Sequence, residues 1–170
     1  MTRTDAREIA VRLLYSLAVT GQEPEALLDA FFGDGHFETL GGEDELFARC
    51  PDKKQMAYIR SLVTLCAEHR ETLDDYIKKY SKGWKPERIS KTAAAVLRCA
   101  LCEILYLEDV PDSAAINEAV ELAKRYDEQD TVAFINGVLG GFMRGEKGNA
   151  AVPEGAEPVP PEAEALQENE

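Results

Sequence analysis

The stretch KTAAAVLRCALCEILYL, Lys91 to Leu107, narrows the possible folds more than any other part of this chain. Ala93 to Leu97, Cys99 to Cys102 and Ile104 to Leu107 are apolar, so Arg98 and Glu103 are the only charges in its interior. The run is too long for a strand and too short to cross a bilayer, which takes roughly 20 apolar residues. A helix that is apolar on nearly every side has to be surrounded, so it belongs at the centre of a helical bundle. Arg98 is expected to be structural and to need a partner, because an unpaired buried charge costs several kcal/mol.

Helical periodicity continues on both sides of this segment. A first helix spans about residues 4–19, with Ala6, Ile9, Ala10, Leu13 and Leu14 on its dry stripe and Arg7 and Arg12 off it. Gly21 stops that helix and Pro24 opens a short second one carrying Leu27, Leu28, Phe31 and Phe32. Residues 33–47 are glycine-rich and acidic and are expected to form a loop with one turn of helix at most. Asp52 is placed to cap a third helix reaching about His69, with Met56, Ile59, Leu62, Val63 and Cys66 facing in. Thr72 and Asp75 resemble a capping pair for a fourth. The joint SKGWKPERIS, residues 81–90, breaks the pattern at Gly83 and offers Ser90 as the cap of the apolar helix. A sixth helix runs from the Val110–Ser113 turn to about Tyr126, and Asp130 or Thr131 caps a seventh ending near Arg144. Gly137, Gly140 and Gly141 in that helix suit close helix approach. The expectation is an all-α chain of about seven helices, with no internal repeat and no strand pattern.

Residues 146–170 differ in kind. They hold seven glutamates, one lysine, four prolines and no aromatic residue, and this composition cannot bury enough apolar surface to fold. The chain therefore divides into a helical domain over 1–145 and an acidic, Pro/Glu-rich disordered tail over 146–170. The tail supplies −6 of the formal charge of −13. Within the body, Lys78, Lys79, Lys82, Lys85, Arg88 and Lys91 face only Glu87 between Tyr76 and Lys91, a local excess of +5. Nucleic-acid binding depends on where cations cluster, so the acidic total does not exclude it.

Of the cysteines, Cys99 and Cys102 form a C-x-x-C in the middle of the apolar helix. Neither Cys50, Cys66, His36 nor His69 adds a second ligand pair at metal-like spacing. They are read as buried small hydrophobes, with no metal and no cofactor expected. The N-terminus has acids mixed into it and no hydrophobic signal core, which points to the cytoplasm and to no membrane partner.

Three stretches, AREIAVRLLYS, AAVLRCALCEILYLEDVP and AINEAVELAKRYDEQDTVAFINGVLGG, resemble the bacterial transcription antitermination factor NusB family in order and spacing across about residues 3–144. The resemblance implies two packed helical bundles and no catalysis. It also implies binding of boxA-type single-stranded ribosomal RNA transcripts together with ribosomal protein S-ten (NusE). RNA polymerase and other Nus factors would join that complex, so that terminators in ribosomal RNA operons are read through. Homodimerisation of the free chain is left open.

The resemblance places an RNA surface on Arg3, Arg7, Tyr15, Asp130 and Phe134. Thr4 and Asp5 stand where better-known members carry more arginines, which predicts weaker and less salt-sensitive RNA binding. Lys82, Lys85 and Arg88 are secondary RNA candidates from the basic stretch. Lys91 and Ala94, at the exposed start of the apolar helix, are the expected NusE contacts. Two other readings compete with this one. One is a protein-interaction module of the same fold with weakened or lost RNA binding. The other is the NusB-like part of a ribosomal RNA methyltransferase, which would need a downstream α/β domain where this sequence has PEGAEPVPPEAEALQENE.

Overall fold

The computed structural model describes residues 1–81, 86–126 and 129–148, which form helices and connecting turns with no strand among them. The chain divides into two compact units, Met1–Arg70 and the residues from Glu71 onward, and each is described by itself. Eight α-helices lie in the described residues: α1 Arg3–Thr20, α2 Pro24–Phe32, α3 His36–Leu40, α4 Lys53–Glu68, α5 Arg70–Tyr80, α6 Lys91–Tyr106, α7 Asp112–Tyr126 and α8 Gln129–Glu146. That is one more than the periodicity predicts, because α3 forms inside the glycine-rich segment.

In the first unit, α1 begins with a reciprocal cap. The Thr2 hydroxyl accepts from the Asp5 amide, and the Asp5 carboxylate accepts from the Thr2 amide, each at 3.1 Å. Gly21 ends α1 in the left-handed conformation at φ 68°, where a side chain would be strained. Pro24 opens α2, and the Asp52 side chain caps α4 by accepting from the Gln55 amide at 2.8 Å. α1 packs on α4 and α2, burying Ile9, Ala10, Leu13, Leu28, Ile59, Leu62 and Val63. The acidic segment is pulled into structure by its aromatics. Phe37 is 1% exposed and meets the rings of Phe31, Phe32 and Phe47 at centroid distances of 5.5–5.7 Å.

In the second unit, α6 is buried along nearly its whole length and packs on both α7 and α8, as its composition predicts. The Ser90 hydroxyl caps it by accepting from the Ala93 amide at 3.0 Å. Arg98 finds its partner in Asp74 of α5, donating from Nε at 2.7 Å and from Nη2 at 3.3 Å in a two-pronged pair. Glu103, fully buried, accepts from the Cys99 thiol at 3.5 Å. Cys66, Cys99 and Cys102 are buried and Cys50 is exposed. No group of His, Cys, Asp and Glu among the described residues has the geometry to hold a metal ion.

Three expectations about helix ends change. α5 starts at Arg70, directly after His69 caps α4, so Thr72 and Asp75 lie inside it and cap nothing. α8 starts at Gln129, which puts Asp130 and Thr131 in its first turn rather than at its cap. It also runs two residues past its expected end near Arg144, through Glu146. Residues 149–170, the rest of the acidic segment, lie outside the described residues.

The α8 glycines divide by what surrounds them. A Cβ at Gly137 would meet nothing within 4 Å, so no close approach explains this glycine. Gly141 and Gly145 face Tyr80 of α5; a Cβ at Gly141 would stand 3.2 Å from its ring, and one at Gly145 would overlap its ring and hydroxyl. Tyr80 and Tyr76 also meet Phe142 edge-on, at 6.1 and 5.1 Å between centroids. Gly137→Ala should therefore stabilise the protein by about 0.5–1 kcal/mol, the ordinary gain at an unobstructed helix interior. Gly145→Ala should destabilise it by about 1–3 kcal/mol through overpacking. Urea midpoints of the two variants check both signs.

Candidate nucleic-acid interface

The residues proposed for RNA contact fall in both units. In the first, Arg3 lies half-buried at the start of α1, its guanidinium carbon 3.9 Å above the centre of the Tyr58 ring. Its Nε donates to the Gln55 side chain at 2.9 Å. Gln55 and Tyr58 are one turn apart on α4, so that helix supplies both the polar anchor and the aromatic floor for this cation. Arg7, one turn along α1, faces the same ring at 5.8 Å.

The wet-face reading of Arg7 needs correcting, since it is only 3% exposed. A helical wheel sees α1 alone, whereas α4 brings Tyr58 over the side that Arg7 occupies. Arg12, the other arginine off the stripe, is held from the segment after α3. Its Nη1 donates to Asp44 at 2.7 Å, its Nη2 pairs with Glu8 at 3.4 Å, and it lies 5.4 Å from the centre of the Phe47 ring. Asp44 at the same time caps the 3-10 turn Glu45–Phe47 by accepting from the Leu46 amide. That backbone bond, followed by the Arg12 guanidinium, holds its carboxyl below the ordinary aspartate value. Tyr15 is 43% exposed and Val19, one turn further, is 52% exposed, so this end of α1 presents apolar surface to solvent.

In the second unit, Asp130 is exposed in the first turn of α8, while Phe134, one turn later, is only 6% exposed. Phe134 thus lies in the hydrophobic interior, and its ring is not presented for base stacking. Tyr126, at the end of α7, is 39% exposed. Arg88 is exposed in the 3-10 turn Pro86–Arg88, and Lys91 is exposed at the first residue of α6. Ala94 is partly buried. Lys82 and Lys85 lie outside the described residues. Sequence reasoning missed Tyr58, Gln55 and Asp44. A tyrosine one position before the dry stripe of α4 carries no signal that an arginine more than fifty residues earlier will rest on it.

Residues 4–144 match the profile of the NusB family. The chain belongs to the NusB family. The transcription antitermination protein NusB of Symbiobacterium thermophilum is 38% identical over 155 residues, covering 91% of this chain and 97% of that protein. NusB of Thermoanaerobacter sp. strain X514 is 38% identical over 146 residues, covering 86% and 93%. Among solved structures, T. maritima NusB superposes with a TM-score of 0.66 at 28% identity, covering 82% of this chain and 88% of that one. A chain from a crystal structure of the antitermination factors NusB and NusE in complex with double-stranded RNA gives the same TM-score at 24% identity, covering 84% and 96%. That last likeness concerns the fold alone. No helix among the described residues is long and apolar enough to cross a membrane.

The Arg12–Asp44 pair has a pH signature. Its carboxyl titrates lower in the folded than in the unfolded chain, so its stabilisation is present above the ordinary value of 3.8 and is lost as pH falls through the depressed one. Asp44→Asn should lower the thermal midpoint at neutral pH by the equivalent of at most about 1 kcal/mol, since both partners are partly exposed. The gap from the parent protein should close in strong acid. Melting curves from pH 7 down to about 2 follow it.

Proposed function

We propose that this chain is a transcription antitermination factor. It binds boxA-type ribosomal RNA transcripts together with NusE and helps RNA polymerase, with other Nus factors, to read through terminators in ribosomal RNA operons. The observation that carries this reading is the match over residues 4–144, joined to a relative of that name which the chain covers almost end to end. A chain of like fold crystallised with NusE and double-stranded RNA supports the choice of partners. The protein does this by binding, without catalysis, in the cytoplasm.

In each unit, taken by itself, the accessible candidates do the contacting. Arg3 supplies a cation fixed by Gln55 and Tyr58, and the exposed Tyr15 ring offers a face for an unpaired base. Asp130 contributes from the exposed first turn of α8 in the second unit. Arg7 and Phe134 act from beneath, the first filling the space against Tyr58 and the second anchoring the start of α8. A second reading, a protein-interaction module with weakened RNA binding, is favoured by one observation: the acid at position 5 is committed to the helix cap, where it faces any approaching phosphate with negative charge.

Fluorescence anisotropy with a boxA-like RNA separates the two readings. Binding should strengthen when NusE is added. Tyr15→Ala should weaken it by about 1–3 kcal/mol, the usual worth of one stacked base. Arg3→Ala should weaken it and flatten the salt dependence by about 0.7 of a logarithmic unit, for one lost phosphate contact. Retained NusE binding with no RNA affinity at low salt would select the interaction module instead.

A further inference from the structure

Residues 146–170 carry seven glutamates against one lysine, and they begin beyond residue 144, where the NusB match ends. The fold shows where this segment departs. Glu146, its first glutamate, accepts from the Lys79 ammonium and from the Tyr80 hydroxyl, both at 2.7 Å. Lys79 then Tyr80 hold the Glu146 carboxyl below its ordinary value. Lys79 belongs to the cationic stretch at the end of α5. The first glutamate of the acidic segment is therefore already paired with the basic stretch.

Three described cations of that stretch are available to anions. Lys78, Arg88 and Lys91 are exposed and make no side-chain bond or ion pair with another described residue. Lys78 lies in the last turn of α5, where a cation complements the helix dipole. Arg88 and Lys91 have no such reason. They sit just before and at the first residue of α6, the positive end of a helix, where cations are disfavoured and an anion would be welcome. Six further glutamates follow Lys147, with no further cation. An extended chain covers up to about 3.3–3.6 Å per residue, so residues 149–170 can reach any exposed cation of the second unit. Attachment beside the target sets an effective concentration on the order of millimolar.

We propose that residues 149–170 are an intramolecular polyanion that docks on Lys78, Arg88 and Lys91 and competes there with RNA phosphate, suppressing non-specific RNA binding. The competition rests on the RNA-binding reading above; the docking does not. A segment already paired with these cations has released their counterions, so RNA that displaces it gains less from salt release. The full-length protein should accordingly show the shallower salt dependence.

Three proteins test this: the full chain, a chain ending at Gly148, and a full-length chain with Glu154, Glu157, Glu162, Glu164, Glu168 and Glu170 changed to Gln. Zero-length carboxylate–amine cross-linking with mass spectrometry reads the docking directly. Links from those glutamates to Lys78 and Lys91, lost in high salt, are expected. Links spread evenly over Lys53, Lys54 and Lys124 would overturn the docking. Binding of a random-sequence single-stranded RNA reads the competition. At about 50 mM salt both altered chains should bind roughly three- to tenfold tighter than the full chain, with a salt slope steeper by about 2 for three uncovered cations. Equal affinity and equal slope in all three chains would overturn the competition. Failure of every chain to bind boxA-like RNA with NusE would reject the RNA reading and the competition with it, and leave the cross-links to decide the docking.

Discussion

A charge carried into an apolar helical interior has to find a partner there, and that constraint shapes both units of this protein. In the second, Arg98 rides on the largely buried α6, and its two-pronged pair with Asp74 ties α5 to α6. Glu103, completely buried one turn and a half further along, takes the Cys99 thiol as one neighbour. In the first unit, Arg7 is enclosed over the Tyr58 ring. Each charge left without such a neighbour would cost several kcal/mol, a large share of a domain's net stability. The partners are thus as necessary as the apolar contacts around them.

The same constraint sorts the arginines of α1 into different tasks. Arg7 is enclosed and Arg12 is shared between Asp44 and Glu8, where it fastens the aromatic segment that follows α2. Arg3 alone combines partial exposure with a rigid seat on Gln55 and Tyr58. A fixed cation loses less freedom when it meets a phosphate than one waving in solvent. Asp5, two residues beyond Arg3, is committed to the reciprocal cap with Thr2.

Net charge proves a poor guide to such a protein. Almost half of the −13 lies in the last 25 residues, while the cations gather at the end of α5 and the start of α6. The two meet at Glu146, Lys79 and Tyr80, in a contact for which Gly145 leaves room. Opposite charges are thus brought into direct contact at the end of α8.

Much of the architecture was legible in the amino-acid order. All-round apolarity put α6 at the centre, Asp52 and Ser90 marked two helix starts, and Pro24 and Gly21 marked a start and a stop, because these signals act within one or two turns of chain. The family resemblance was legible for the same reason, resting on contiguous motifs. Thr72, Asp75 and Asp130 misled, since a good capping residue is equally free to sit inside a helix that begins earlier. Only tertiary structure decided that Arg7 is covered while Arg3 is seated, that Phe134 is buried while Tyr15 is exposed, and that Gly145 matters while Gly137 does not. Each of these depends on which side chain a distant helix brings to the position, and a helix's own periodicity specifies an inward face without naming what will lie against it.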